Sequence, residues 1–318
     1  MTDSSIVVIG NANVDLTTYL ERSPGEGETV LGHGFTLGMG GKGANQAVAA
    51  ARAGASVSFI GRIGEDFFGD QVQASLTKEG LELQHMDRVE THTAIASIYV
   101  EDSGANRIAV YPGASATLAP SDAVSAMTSF PDAHYLVSQL EINQEVVLAA
   151  LESARKATLT TILNIAPYAP LIPGILDNTT WLIANEVELE GLLAHHGESV
   201  EISEMPLVDI EHQISRWSST ISCHLIVTLG SRGAIGCVED TVFSFEGDPV
   251  TATDTVGAGD CFVGYFVALL DQGLPWQQAL AGGVIAAGES VERAGAQSSY
   301  PDRTDAKRLT QLASQVSY

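Results

Sequence analysis

The chain alternates short apolar runs with amphipathic stretches over most of its length. Ile6-Val7-Val8-Ile9, closed by Gly10, is a continuous apolar run. That is the pattern of a strand buried on both faces of a parallel sheet. Residues 44–53 are small and apolar on most faces and stop at Gly54, which predicts a helix. Residues 57–60 read as another strand, and 67–80 carry helical spacing with a glycine stop. Beyond Pro120, helix-like stretches at 122–129, 145–157, 186–195 and 210–218 alternate with strand-like runs at 135–137, 161–163, 181–184 and 225–227. Residues 257–271 and 276–291 predict two late helices. Alternation of this kind predicts an α/β fold, a doubly wound, mostly parallel sheet flanked by helices.

Two segments break that rhythm. Residues 29–37 are short, glycine-interrupted and partly alternating, as in exposed sheet. Residues 93–100 alternate, 101–106 turn, and 107–111 return, the signature of a β-hairpin. The pieces at about 11–37 and 91–114 together predict a small β-sheet lid, inserted in the α/β core of a single domain spanning 1–318. No low-complexity linker or internal repeat divides the chain.

Composition narrows the partners. At 45% hydrophobic, 318 residues suffice for the core of one large domain. The 39 acidic residues outnumber the 15 basic ones, giving a net charge of −24. Such a surface repels phosphate backbones and anionic lipid, so nucleic-acid and membrane partners are not expected. A polyanionic small molecule would need locally positive features, such as helix N-termini, a metal ion or a few bases. Cys223, Cys237 and Cys261 are odd in number and lack metal-ligand spacing, which points to a reducing cytoplasm. Residues 1–5 are polar and lead straight into the first strand, unlike a signal peptide, and no apolar stretch approaches bilayer length. The eight histidines show no ligand spacing.

Two glycine-rich loops carry the chemistry. The first, Gly38-Met39-Gly40-Gly41-Lys42-Gly43-Ala44-Asn45-Gln46, contains a G-x-G-x-x-G match at Gly38, Gly40 and Gly43, with Glu65 following at about the spacing of the dinucleotide fingerprint. That fingerprint belongs directly after the first buried strand, which here ends far upstream at Gly10. A P-loop does not fit either, because Gly43 follows Lys42 and Thr36 stands where the first glycine belongs. The second loop, Asp254-Thr255-Val256-Gly257-Ala258-Gly259-Asp260, opens a helix. Its glycines let backbone N–H groups converge, and the helix dipole adds about half a positive charge there. Asp260, at the mouth of that helix, suits a general base for a hydroxyl attacking phosphorus. The plainer alternative for this loop is a capped helix after a turn.

Together the two loops resemble the signature motifs of the PfkB (ribokinase-like) carbohydrate kinases. The resemblance spans nearly the whole chain and implies the α/β fold with a β lid and ATP-dependent phosphorylation of a sugar hydroxyl. Gly-Ala-Asn-Gln-Ala-Val-Ala-Ala from Gly43 and Tyr111-Pro112-Gly113-Ala114 lean toward the family's pentose kinases, which implies the primary hydroxyl of D-ribose. By the same resemblance Asp260 is the base, and the amides of Gly257, Ala258, Gly259 and Asp260 stabilise the developing charge. Asn13, Asp15, Gly41, Lys42, Gly43, Asn45 and Glu141 would contact the sugar. Asn185, Thr228, Gly230, Ser231, Gly233 and Gly259 would contact ATP, with Arg232 near its phosphates, and Glu188 would act on Mg²⁺ through water. Asp254, Ser299 and the carbonyls of Val256, Ser290, Arg293 and Gly295 resemble the loop that holds an activating K⁺, with Ser298 where relatives carry proline. The resemblance further implies a homodimer joined through the lids. Fructose, deoxyribose and nucleosides remain alternative acceptors. A non-catalytic sugar or nucleotide sensor and an NAD-dependent oxidoreductase are the alternatives of other classes.

Overall fold

The computed structural model describes residues 4–318; of the polar start, residues 1–3 lie outside the described part. In chain order the elements are β1 (Ile6–Ile9), β2 (Asn13–Leu20), β3 (Gly34–Gly40), α1 (Lys42–Arg52), β4 (Val57–Gly64), α2 (Phe67–Lys78), β5 (Glu82–Val89), β6 (Ala94–Glu101), β7 (Asn106–Tyr111), α3 (Pro120–Met127), β8 (Tyr135–Ser138), α4 (Gln144–Lys156), β9 (Thr160–Asn164), β10 (Trp181–Asn185), α5 (Glu186–His195), α6 (Leu207–Ile221), β11 (His224–Thr228), β12 (Ala234–Val238), β13 (Thr241–Phe245), α7 (Ala258–Asp271), α8 (Trp276–Ser290) and α9 (Arg303–Ser314). Nine strands make the central sheet in the order β13-β12-β11-β10-β9-β8-β1-β4-β5. Seven of them run parallel. The last two, β12 and β13, are antiparallel.

The apolar runs explain the layers. Strands β1, β8, β9 and β11 are buried on both faces because helices cover both. One core lies between the sheet and α1, α2, α7, α8 and α9. The other lies beneath α3, α4, α5 and α6, with Trp217 at its centre. The short side chains of α1 allow α7 to approach closely. At Gly264 of α7 a Cβ would collide with the Ala49 side chain and the Gln46 carbonyl, so this contact between helices requires glycine there.

The second sheet is separate and four-stranded, in the order β3-β2-β6-β7. Its strands differ from expectation in their bounds. Residues 29–33 are not strand, because His33 N–H turns back to the Tyr19 carbonyl, and β3 instead runs through Gly40, delivering the chain directly into α1. Asp66, the N-cap of α2, accepts from the N–H and hydroxyl of Thr93 as well as from Gly69 N–H. One carboxylate therefore caps a helix and fastens the root of β6 to the core.

Four elements escaped the pattern reading: β5, β12, β13 and α9. Strands β5 and β13 are the edges of the large sheet and half exposed, so their sequences ELQHMDRV and TVFSF mix polar with apolar residues. The short β12 joins β13 to the parallel strands through a two-residue turn at Glu239 and Asp240, both with positive φ. Helix α9 buries only Ala306, Leu309 and Ala313, too sparse an apolar stripe to stand out.

Candidate active site

The strand order reverses at β1: β4 and β5 extend to one side, β8 to β11 to the other. A reversal of this kind leaves a crevice beyond the carboxyl ends of the strands. Here the N-termini of α1 and α7, the ends of β8, β9, β10 and β11, and the four-stranded sheet surround that crevice.

Asp260 lies in the first turn of α7 and is only 5% exposed. Both of its carboxylate oxygens are engaged: Asn45 Nδ2 donates to Oδ2 at 3.0 Å and Gln46 Nε2 to Oδ1 at 2.9 Å. Both donors stand near the start of α1, held against α7 by the close packing at Gly264. The turn before α7 is capped by Gly257 in the left-handed region (φ 78°). Its carbonyl accepts from Tyr300 Oη at 3.0 Å. A side chain at Gly257 would strike Tyr300 and Ala296, whereas at Gly259 a Cβ would meet nothing within 4 Å. A Cβ at Gly259 would enter open space, and at the N-terminus of the same helix the N–H groups and the dipole favour an anion.

On the sugar side as expected from sequence, β2 places Asn13 and Asp15 opposite Gly40 and Gly38 of β3. Asn13 Nδ2 donates to Asp15 Oδ1 at 2.6 Å, and Asn11 Nδ2 donates to Asn13 Oδ1 at 3.2 Å. Burial raises the Asp15 carboxyl to about 6. The Asn13 hydrogen bond opposes that rise, and the charges of Glu141 and Asp260 add to it. Glu141 follows β8 and accepts from the backbone N–H of Lys42 at 2.9 Å. Gly41 caps α1 with a positive φ of 92°, and Gly43 N–H donates to Asn11 Oδ1. Asp260, Glu141 and Glu188 draw on the Lys42 ammonium and raise its pKa against the opposing effect of burial. One cation thus lies within range of carboxylates from both sides of the crevice.

On the side assigned to ATP, Asn185 and Thr228 are register partners at the ends of β10 and β11. Asn185 and Glu188 form a reciprocal capping box at the start of α5. Burial raises the Glu188 carboxyl; the Asn185 N–H and Lys42 pull it back down. Gly230 and Ser231 sit in an exposed 3₁₀ turn, and Gly233 (φ 85°) ends that turn just before β12. Arg232 is the exception to its expected place. Its guanidinium donates to the carbonyls of Met205, Ile202 and Ser203 and pairs with Glu186 at 3.2 Å. It staples the 202–205 loop to α5 and has few donors left for phosphate.

The loops expected to hold a monovalent cation lie side by side. Asp254 accepts from Val256 N–H (3.0 Å) and Gly295 N–H (2.8 Å). The Val291 carbonyl accepts from Thr253 and Asp254. Ser290 accepts from Arg293 N–H, and Arg293 Nη1 reaches the Ser299 carbonyl at 3.4 Å. The side chains and carbonyls assigned from sequence therefore belong to one connected loop pair beside the α7 turn. Cys261 is fully buried in the core, as expected of a packing residue.

Sequence reasoning gave no role to Gln46, Gln139, Asn164, Gln297 or Tyr300. Gln46 stood inside the quoted motif. A wholly buried amide in an otherwise small, apolar helix is the signal that could have marked it.

Comparison with known proteins agrees with this arrangement. Residues 3–303 match the model of the pfkB family carbohydrate kinases. The chain belongs to that family. It is 34% identical to a ribokinase of Bacillus subtilis, over 96% of this chain and 99% of that protein. It is also 34% identical to a deoxyribokinase of Salmonella typhi, over 93% of this chain and 95% of that protein. A ribokinase structure from Thermotoga maritima superposes with a TM-score of 0.86 at 30% identity, covering 97% of this chain and 99% of that one. Arabidopsis thaliana ribokinase complexed with ribose and ATP superposes with a TM-score of 0.86 at 27% identity, covering 98% and 99%. The chain is thus a sugar kinase of the ribokinase type. Among the described residues, no helix is long and apolar enough to cross a membrane.

Proposed function

We propose that this kinase transfers the γ-phosphoryl of ATP to the primary hydroxyl of D-ribose. The observation that carries the reading is Asp260: a buried carboxylate, both oxygens held, beside a helix N-terminus whose approach Gly259 leaves open. Asp15, Asn45 and Glu141 orient the sugar beneath the four-stranded sheet, which serves as a lid. Asp260 accepts the proton of the attacking hydroxyl. The N–H groups of Gly257, Ala258, Gly259 and Asp260 receive the charge that builds on the transferring group, as preorganised donors do in phosphoryl transfer. Asn185, Thr228, Gly230, Ser231 and Gly233 form the ATP side. Glu188 would hold Mg²⁺ through water, in keeping with an ion that takes one or two carboxylates and otherwise nucleotide phosphates and water; bound there, it neutralises phosphate charge. Oxygen donors of the Asp254 and 290–299 loops fit K⁺, which would set the loop without touching substrate.

The deoxyribokinase relative supports 2-deoxyribose as a second reading. One panel separates them: ADP release with ribose, 2-deoxyribose, fructose and nucleosides, in KCl and in choline chloride at equal ionic strength. The expected result is the highest kcat/KM with ribose and faster turnover in KCl. Preference for 2-deoxyribose would overturn the substrate, equal rates in both salts would overturn the cation, and no turnover with any acceptor would overturn catalysis.

A further inference from the structure

The two amides that hold Asp260 cannot choose their own orientation. A carboxylate accepts and does not donate, so Asn45 and Gln46 must present nitrogen to it. An isolated amide could flip and turn its oxygen toward Asp260 with little change in shape. Here a flip is opposed in each case by a glutamine from another element, which donates to the amide oxygen. Gln297 Nε2 donates to Asn45 Oδ1 at 3.0 Å, and Gln139 Nε2 donates to Gln46 Oε1 at 2.7 Å. All four amides are at most 6% exposed, so water does not substitute for these partners. Gln46 also donates to Asn164 Oδ1, whose own Nδ2 donates to the Ile183 carbonyl, which fixes that branch in the same sense.

The Gln297 arm is anchored in turn. Arg52, paired with Glu79 through two hydrogen bonds, donates Nη1 to the carbonyls of Gln297 and Tyr300. Tyr300 holds the Gly257 carbonyl. One guanidinium therefore fixes the backbone from which one side chain aims the base and another fixes the turn that carries the N–H donors.

We infer that Gln139 and Gln297 are positioning residues for the transfer step: they set the amide orientation of Gln46 and Asn45, and through them the direction of the Asp260 carboxylate. The inference rests on Asp260 being the base. Its consequence is a selective loss of kcat. Loss of one oriented hydrogen bond of this kind corresponds to roughly a tenfold fall in rate. Gln297→Met preserves length and removes the donor, so kcat should fall by about that factor with the KM for ATP unchanged. Gln297→Glu, assayed at pH 8, places an acceptor against Asn45 Oδ1, favours the flipped amide, and should fall further. Gln139→Met tests the other arm independently, should either Gln297 variant fail to fold.

The assay includes Asp260→Asn as a control. An active Asp260→Asn enzyme would remove the base and this inference with it. An inactive Asp260→Asn enzyme beside Met variants that keep wild-type kcat would overturn the positioning role alone. Met variants that lose Tm but not kcat would do the same, because the glutamines would then be structural only.

Discussion

Asp15 sits where burial and two neighbouring carboxylates oppose its ionisation, while Asn13 favours it. The balance places its carboxyl at about 6, above the ordinary value of 3.8. The folded chain therefore binds this proton more tightly than the unfolded one. The group's contribution to stability is fully present below pH 3.8 and is lost as the pH rises through about 6. At neutral pH the site holds an ionised carboxylate at some expense of stability, a pattern common at binding sites. A sugar whose hydroxyls donate hydrogen bonds to Asp15 favours the ionised form, so binding weakens in acid. Lowering the pH from 7 to 5 should raise the calorimetric Kd for ribose by about tenfold, since about a tenth of the carboxylate stays ionised one unit below its pKa. Asp15→Asn should abolish that dependence; an equal pH dependence in the variant would assign the titration elsewhere. The Asp260→Asn control has its own expected size, a fall in kcat of about 10²–10⁴-fold, the usual range for loss of a general base.

At the scale of the element, the turn into α7 separates what glycine does for the fold from what it does for the ligand. Gly257 has a left-handed backbone and a neighbour, Tyr300, where a side chain would go. Gly257→Ala should lower Tm by several degrees, through strain and through displacement of Tyr300. Gly259 has neither constraint, and its missing side chain points into open space. Gly259→Ala should leave Tm unchanged or slightly raised, because alanine favours helix. The same variant should raise the KM for ATP and lower kcat, because a methyl group would intrude on the anion site. A Gly259→Ala enzyme with normal kinetics would show that the space serves no substrate. Helix α1 makes the complementary point. Its alanines are invisible as chemistry, yet they let α7 approach closely enough for Asn45 and Gln46 to reach Asp260.

Across the whole molecule, the four-stranded sheet is the part the core does not cover. On the face that carries Asp15, register pairing aligns Ala96 with Val110 and Ile98 with Ile108. Ile108 and Val110 are 56% and 60% exposed, and on the opposite face Phe35 is 62% exposed. Ile108 and Val110 lie side by side on one face, an exposed apolar pair of the kind that marks an interaction surface. We propose that a second copy of the chain covers it, lid against lid. Light scattering should give a homodimer, and Val110→Glu should shift it toward monomer. A monomeric wild type at high protein concentration would contradict the pairing.

Most of the helices and strands, the mostly parallel sheet and the two glycine loops could be read from the chain. They rest on local rules: apolar runs for buried strands, helical spacing for flanking helices, and glycine where backbone must approach a ligand. Asp260 could be marked as a candidate because loop and acid lie in one short segment. The edge strands β5 and β13 and helix α9 could not, because exposed elements need little apolar patterning and leave a weak periodic signal. The hydrogen-bond network around Asp260 lay further out of reach. Gln139, Asn45 and Gln297 are distant in sequence, and only the packing of α1 against α7 and the return of the 290–300 loop bring them together. Arg232 shows the same limit in reverse. Its position beside a predicted nucleotide loop suggested phosphate, but carbonyls from a loop some thirty residues upstream claim its donors. Local sequence specifies which groups are available; which of them meet depends on contacts between distant segments, and those exist only once the chain has folded.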